Sequence, residues 1–252
     1  RAVRVLAAMY ADGAYSAPGV ARAFDIAPLA GLKPGALGES ASRATLEAAG
    51  IPLAAGGLAT DADEAADLAR GIGYPVALKI DSADIPHKSE AGGVALGISS
   101  EDELGRAYGD ILAAASAHAP GADIAGIGVY EMVGGAGVEM IAGMRRDPIF
   151  GPVVLLGMGG VFAETLDDKV LRIAPLAGGE GEKMARALKG FALLDGARGR
   201  PPADIQALGD VLERLSALAL AHPEIAEIDI NPLMVLPKGE GVRAADALVI
   251  AA

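Results

Sequence analysis

A chain of 252 residues, 52% hydrophobic and 21% charged, has the material for a substantial core and argues against disorder. Its net charge of −12 argues against non-specific nucleic-acid binding and against an anionic membrane surface, since both need a basic face. The absence of cysteine excludes disulfides, thiolate metal sites and cysteine nucleophiles. With no secretory h-region and no membrane-length apolar run, the expected location is the cytoplasm.

Residues Ala2–Met9 read as the end of a helix. A chain that opens on Arg1, with a first apolar segment lacking an evident partner, reads as a piece of a longer polypeptide. Ser16–Gly38 contains Gly and Pro without periodicity and reads as a connector, so residues 1–36 are expected to be an extension from an upstream domain. From Leu37 helical and extended patterns alternate. Ser40–Ala49 is helical and stops at Gly50. Asp61–Ile72 opens with a capping box, Asp61 with Glu64, and Ser100 with Glu103 opens another helix toward Ala117. Val76–Ile80, Val94–Ile98, Ile127–Val133, Val138–Met144, Val153–Leu156, Leu171–Ala174, Glu227–Ile230 and Val242–Ile250 read as strands. Glu182–Phe191 and Ala203–Ala221 read as helices, the latter with Leu208, Leu212, Leu215 and Leu218 as a core stripe. This order predicts an α/β fold of the mixed-sheet or α+β kind.

Chemistry concentrates in three places. Lys79 lies inside an apolar strand, where an unpaired ammonium is costly, so it either emerges at the sheet edge or meets an anion. The loop after it carries His87, Lys88, Ser89, Gly92 and Gly93, and glycines of this kind let N–H groups approach a phosphate. His87 is the one histidine in a polar loop. Its neutral imidazole is a competent phosphoryl acceptor, while His118 and His222 stand at predicted helix C-termini, where they complement the dipole.

The third place is Glu227–Ile250. Asp229 and Asn231 share one face of a strand, and a hairpin turn centred between Lys238 and Gly239 sets Asn231 opposite Asp246. Cross-strand Cβ atoms are about 5 Å apart, close enough for an amide and a carboxylate to share Mg²⁺, although an ordinary polar face fits as well. Pro232 complicates a regular hairpin. Glu131 on its strand, the glycine-dense turn Gly157–Glu164, Arg145 and Arg172 complete the set.

These motifs resemble the ATP-grasp domain of the NDP-forming acyl-CoA synthetases, the ADP-forming acetyl-CoA synthetase family related to succinyl-CoA synthetase. The resemblance runs from about Leu37 to the C-terminus. It rests on AAGIPLAAGGLA (Ala48–Ala59), GYPVALKI (Gly73–Ile80), HKSEAGGV (His87–Val94), GMRRDPIFGPVVLLGMGGVFAE (Gly143–Glu164), LRIAPL (Leu171–Leu176) and EIDINPLMV (Glu227–Val235).

The resemblance implies an ATP-grasp domain over 37–252, with a small lid subdomain at about 52–130 and a larger one at about 131–252 clasping ATP or ADP. His87 matches the histidine that relays the phosphoryl group. Lys79 matches the lysine on the nucleotide phosphates, with Lys88, Gly92 and Gly93 beside it. Glu131 and Met132 match the purine-contacting linker, and Glu139, Glu164 and Arg172 match further nucleotide contacts. Asn231 and Asp246 match the magnesium ligands, with Asp229 at the neighbouring acidic position. The family further implies a CoA-binding domain and a second phosphohistidine-bearing domain, upstream or on a partner chain, and an oligomeric whole. Two other readings stay open: a ligase that forms an acyl-phosphate directly, and a non-catalytic nucleotide-sensing module fused to an acetyltransferase.

Overall fold

The computed structural model describes residues 20–29, 31–160 and 168–252. The helix end expected over Ala2–Met9, part of the connector, and Glu164 lie outside the described residues. Among the described residues the chain forms two antiparallel sheets, and no helix is long and apolar enough to cross a membrane.

The larger sheet joins β1 (Gly35–Ala36), β6 (Val138–Asp147), β7 (Gly151–Met158), β8 (Lys169–Ile173), β9 (Ile225–Val235), β10 (Val242–Ala244) and β11 (Ala247–Ala251). Its order is β1-β11-β9-β6-β7-β8, with β10 also on β9. The smaller sheet has the order β2-β5-β3-β4, from β2 (Gly56–Ala59), β3 (Val76–Asp81), β4 (Val94–Ile98) and β5 (Gly126–Glu131). Such mixed layers agree with the expected fold class.

Each sheet has its own core. Helix α6 (Ile205–Ala221), capped by Asp204, turns Leu208, Leu212, Leu215 and Leu218 onto Met140, Met144, Leu156 and Ile228 of the large sheet. Helix α1 (Glu39–Ala48) contributes Leu46 to that core. In the small lobe, α2 (Ala62–Ile72) and α3 (Glu101–His118) cover Val76, Leu78, Ile80, Ile127 and Val129. Both helices start where their capping boxes place them: Asp61 accepts from Glu64 N at 2.8 Å and Ser100 from Glu103 N at 3.3 Å.

Three elements differ from expectation. The helix predicted over Glu182–Phe191 is two short ones, α4 (Glu180–Arg186) and α5 (Phe191–Leu194). The buried carboxylate of Asp168 takes the N–H groups of Lys189 and Gly190 at 3.0 and 2.7 Å, which removes them from a helical ladder. The strand predicted over Val242–Ile250 breaks at Ala245 and Asp246. Strand β2 carries no β-branched residue, and at Gly56 (φ +150°) a Cβ would stand 2.2 Å from Val129 O, so glycine is required there.

The described part of the expected connector has little regular structure, yet it lies across the large lobe. Ile26, Leu29 and Leu32 pack against the core, Arg22 pairs with Asp210, and Leu37 N donates to Val249 O at 2.9 Å.

Candidate functional site

The site begins with the two-residue period of β3. Val76, Leu78 and Ile80 face α2 and α3, which sends Ala77, Lys79 and Asp81 to the opposite side, toward α1 and β11. All six are buried. Lys79 therefore does not snorkel to solvent. Its Nζ donates to Ala245 O at 2.7 Å and to Asp246 Oδ1 at 2.9 Å, and it stands 5.8 Å from the centre of the Tyr130 ring. Arg43 of α1 lies 4.1 Å from the same ring. Asp81 Oδ2 accepts from Ser40 N at 3.0 Å, so a strand of the small lobe caps a helix of the large one.

The loop between β3 and β4 returns tightly. Gly93 N donates to Lys88 O at 2.8 Å and Gly92 N to Ser89 O at 3.3 Å. A Cβ on Gly93 would stand 2.4 Å from Ile80 Cγ2, and Gly92 is left-handed at φ +66°. Both N–H groups close the turn on the loop's own carbonyls. The folded loop aims Lys88 inward. Its Nζ, like that of Lys79, donates to Asp246 Oδ1, here at 3.0 Å, and it also donates to Glu39 Oε2. His87, one residue earlier, is exposed, and among the described residues nothing hydrogen-bonds or ion-pairs its imidazole.

Asp246 comes from the C-terminal hairpin, whose register follows the turn centre expected from the sequence. Val242 opposes Val235, Ala247 opposes Ile230, and between them Asn231 N donates to Asp246 O at 3.3 Å. Ile228 and Ile230 face the core, so Asp229 and Asn231 face away from it. Burial raises the Asp229 carboxyl above its ordinary range, with Glu227 and Asp246 adding to the rise.

Two carboxyl groups thus meet two ammonium groups. Burial pushes Asp246 up, but Lys79 and Lys88 outweigh it and hold it down to about 2. Burial and then the charge of Asp246 push Glu39 up to about 7, against the pull of Lys79 and Lys88. Glu39 is 1% exposed, and its Oε1 is buried with no partner among the described residues. Glu39 is the residue that sequence reasoning missed. An acid in the first turn of a helix is ordinary, and only the position of Lys88, 49 residues away, marks this one as different.

The remaining expected residues do not join this cluster directly. Glu131 is half-buried, with Oε1 at 4.0 Å from Arg243 Nε, and Met132 is 37% exposed. Glu139 opposes Met234 across β9, and Met234 opposes Arg243 on β10, so Glu139, Met234 and Arg243 lie in one row. Arg172 opposes Val154, a core residue, which puts it on the α6 side of the sheet, where it donates to Glu180 Oε1 at 3.2 Å. Among the described residues no three His, Cys, Asp or Glu side chains cluster to hold a metal. A groove of about 710 Å³ between α1 and Gly50–Leu58 is lined by Arg43 and Tyr130 but by none of Lys79, Lys88 and Asp246.

Comparison with known proteins gives a consistent result. The ATP-grasp domain family matches residues 32–250. The chain is similar to the β subunit of acetate–CoA ligase [ADP-forming] I of Pyrococcus furiosus, 40% identical across 92% of this chain and 98% of that one. It is 48% identical to acetate–CoA ligase [ADP-forming] I of Archaeoglobus fulgidus over 78% of its length, yet spans only 28% of that relative. The acetyl-coenzyme A synthetase 1 of Ca. Korarchaeum cryptofilum, with coenzyme A, Ca-AMPCP and HgCl⁺, superposes with a TM-score of 0.81 at 40% identity, covering 86% of this chain and 94% of that one. In complex with coenzyme A and Mg-AMPPCP, with its phosphohistidine segment pointing toward the nucleotide-binding site, the same protein superposes with a TM-score of 0.72 at 38% identity, covering 85% and 92%.

Proposed function

The chain belongs to the ATP-grasp domain family of the ADP-forming acyl-CoA synthetases, and from that premise we propose that it performs the nucleotide half of their reaction. In this reading His87 carries a phosphoryl group between partner domains and ADP. The observation that carries the proposal is the convergence of Lys79 and Lys88, both from the small lobe, on Asp246 Oδ1 of the large lobe, beside Asn231. Two cations brought to one point between two lobes, in a chain with net charge −12, are suited to polyphosphate.

The donor set fits Mg²⁺. An amide oxygen and a carboxylate project from facing positions on the side of the sheet away from the core, and such hard oxygen donors suit a cation that keeps waters and takes phosphate oxygens for the rest. Asn231 and Asp246 would hold it, with Asp229 alongside. When bound, the ion neutralises phosphate charge. The Lys79 ammonium turns from Asp246 to the phosphate oxygens, with Lys88 beside it, and Glu131 and Met132 border the purine.

The exposed His87 imidazole is free to meet a donor from another domain. Its neutral nitrogen forms the N–P bond as the donor's bond to phosphorus breaks. A terminal oxygen of ADP then takes the phosphoryl group, the N–P bond breaks, and ATP leaves. The acid and CoA sites belong to parts beyond this chain, in keeping with the much longer Archaeoglobus relative.

The test uses the complete protein, labelled ATP and His87→Asn. Label on this chain and ATP–ADP exchange are expected to vanish while Mg-ADP affinity stays within about twofold, the signature of losing an acceptor and not a binding group. Exchange that survives in His87→Asn overturns the relay.

A further inference from the structure

Asp246 Oδ1 accepts from two ammonium groups at once, at 2.9 Å from Lys79 and 3.0 Å from Lys88. A divalent cation on that carboxylate would meet both, and like charges at such range repel strongly. Each lysine therefore needs somewhere else to go. For Lys79 the alternative is built in, because its Nζ already donates to Ala245 O at 2.7 Å. For Lys88 the corresponding second acceptor is Glu39 Oε2.

The placement of Glu39 fits this use and is poorly explained without it. As the first residue of α1 it would complement the helix dipole from the surface, as Glu101 does at the start of α3 with a side chain 57% exposed. Instead its side chain is 0% exposed, a position that is costly for a carboxylate unless it is paired. Lys88 is the lysine that pairs with it, and Lys88 arrives from the other lobe.

Resting on the functional reading above, we propose that Glu39 is a positioning residue: it holds the Lys88 ammonium when Asp246 turns to the metal, so that the loop lysine does not compete for the metal's carboxylate. Glu39 touches neither metal nor nucleotide. It acts through Lys88. Among the described residues its neutral isostere leaves Lys88 with Asp246 as its only carboxylate partner, and metal binding then has to displace an ammonium with no second carboxylate to take it.

The experiment is a double-mutant cycle on the complete protein at pH 8, with Mn²⁺ and ADP as probes and bound Mn²⁺ read by electron paramagnetic resonance. Glu39→Gln is expected to weaken Mn²⁺·ADP binding about tenfold, the scale of one lost charge-assisted hydrogen bond. In a Lys88→Met background the same change is expected to alter binding by less than about twofold, because the competitor is gone. An equal factor in both backgrounds, or no effect in either, overturns the proposal, and the equal factor is what a merely structural role would give. Lys88→Met alone, tested with Mn²⁺ and no nucleotide, is expected to bind the ion several-fold more tightly, and weaker binding counts against the proposal. Asp246→Asn separates the two levels of argument. If it leaves Mn²⁺·ADP affinity unchanged, the metal reading itself fails. If it abolishes binding while the cycle shows no coupling, only the role of Glu39 falls.

Discussion

On one side of β3, Val76, Leu78 and Ile80 lie under α2 and α3 among aliphatic neighbours of the same lobe. On the other side, Ala77, Lys79 and Asp81 are buried as deeply, yet two of the three are charged. Depth of burial does not separate core from site in this strand. The origin of the partners does. The helix-covered face is satisfied from within residues 59–129, whereas Asp81 meets a residue 41 positions away and Lys79 one 167 positions away, both in the large lobe. The first face stabilises one lobe; the second joins two lobes through charges that a ligand can claim.

The sharpest way to break this contrast is Asp246→Ala, which leaves Lys79 and Lys88 facing each other without their shared carboxylate. Removing one member of a buried charge cluster costs about 3–5 kcal/mol, and the urea midpoint should fall accordingly. A change no larger than that of a surface residue would show that charge does not hold the cleft face. Next comes Leu78→Ala on the opposite face, with an expected loss of about 2–5 kcal/mol from the cavity it leaves. Here ADP affinity of the folded fraction should stay within about twofold. Binding lost in proportion to stability would mean that the two faces are not separable.

A smaller effect comes through pH. Glu39 is raised from an ordinary 4.5 to about 7, so between those values the folded state binds the extra proton and its stability falls as pH rises. Glu39→Gln removes that dependence. Melting temperatures of the two proteins should converge toward pH 4.5 and separate in favour of Gln up to about pH 7, then run parallel. Curves that are parallel throughout would show that the buried carboxyl is not strained.

Local signals in the sequence were legible because both partners lie within a few residues. The capping boxes formed at Asp61 and Ser100, though Glu64 and Glu103 reach one residue further back, to Thr60 N and Ser99 N at 2.8 and 2.9 Å. The hairpin register also followed from counting, since a turn centre fixes every opposite pair up to Asn231 and Asp246. What could not be read depends on distant partners. Nothing near Glu39 signals Lys88, and nothing near Lys189 signals that Asp168 will claim its N–H and break a helix. Arg172 sat in a matching motif, but which face it takes is decided by its alignment with Val154 on β7. The glycines of the loop also serve its local geometry, because their N–H groups close the turn.

The smallest expected effect tests the contrast at its most local point. Helix α1 starts at Gly38, which has no side chain to cap it, and the Ser40 N–H is satisfied by Asp81 Oδ2 at 3.0 Å from across the cleft. A Cβ on Gly38 would stand 2.4 Å from Asp81 Oδ1, so the bare glycine is what lets the borrowed cap approach. Losing an N-cap acceptor typically costs about 1 kcal/mol, and Asp81→Ala should lower the urea midpoint by that much. Because the cap belongs to the other lobe, the same change should also speed amide exchange at Ser40, while amides in α2, capped within its own lobe by Asp61, keep their rates. If α1 and α2 loosen together, the small lobe has been destabilised as a whole, and Asp81 belongs with the core face, not with the joint.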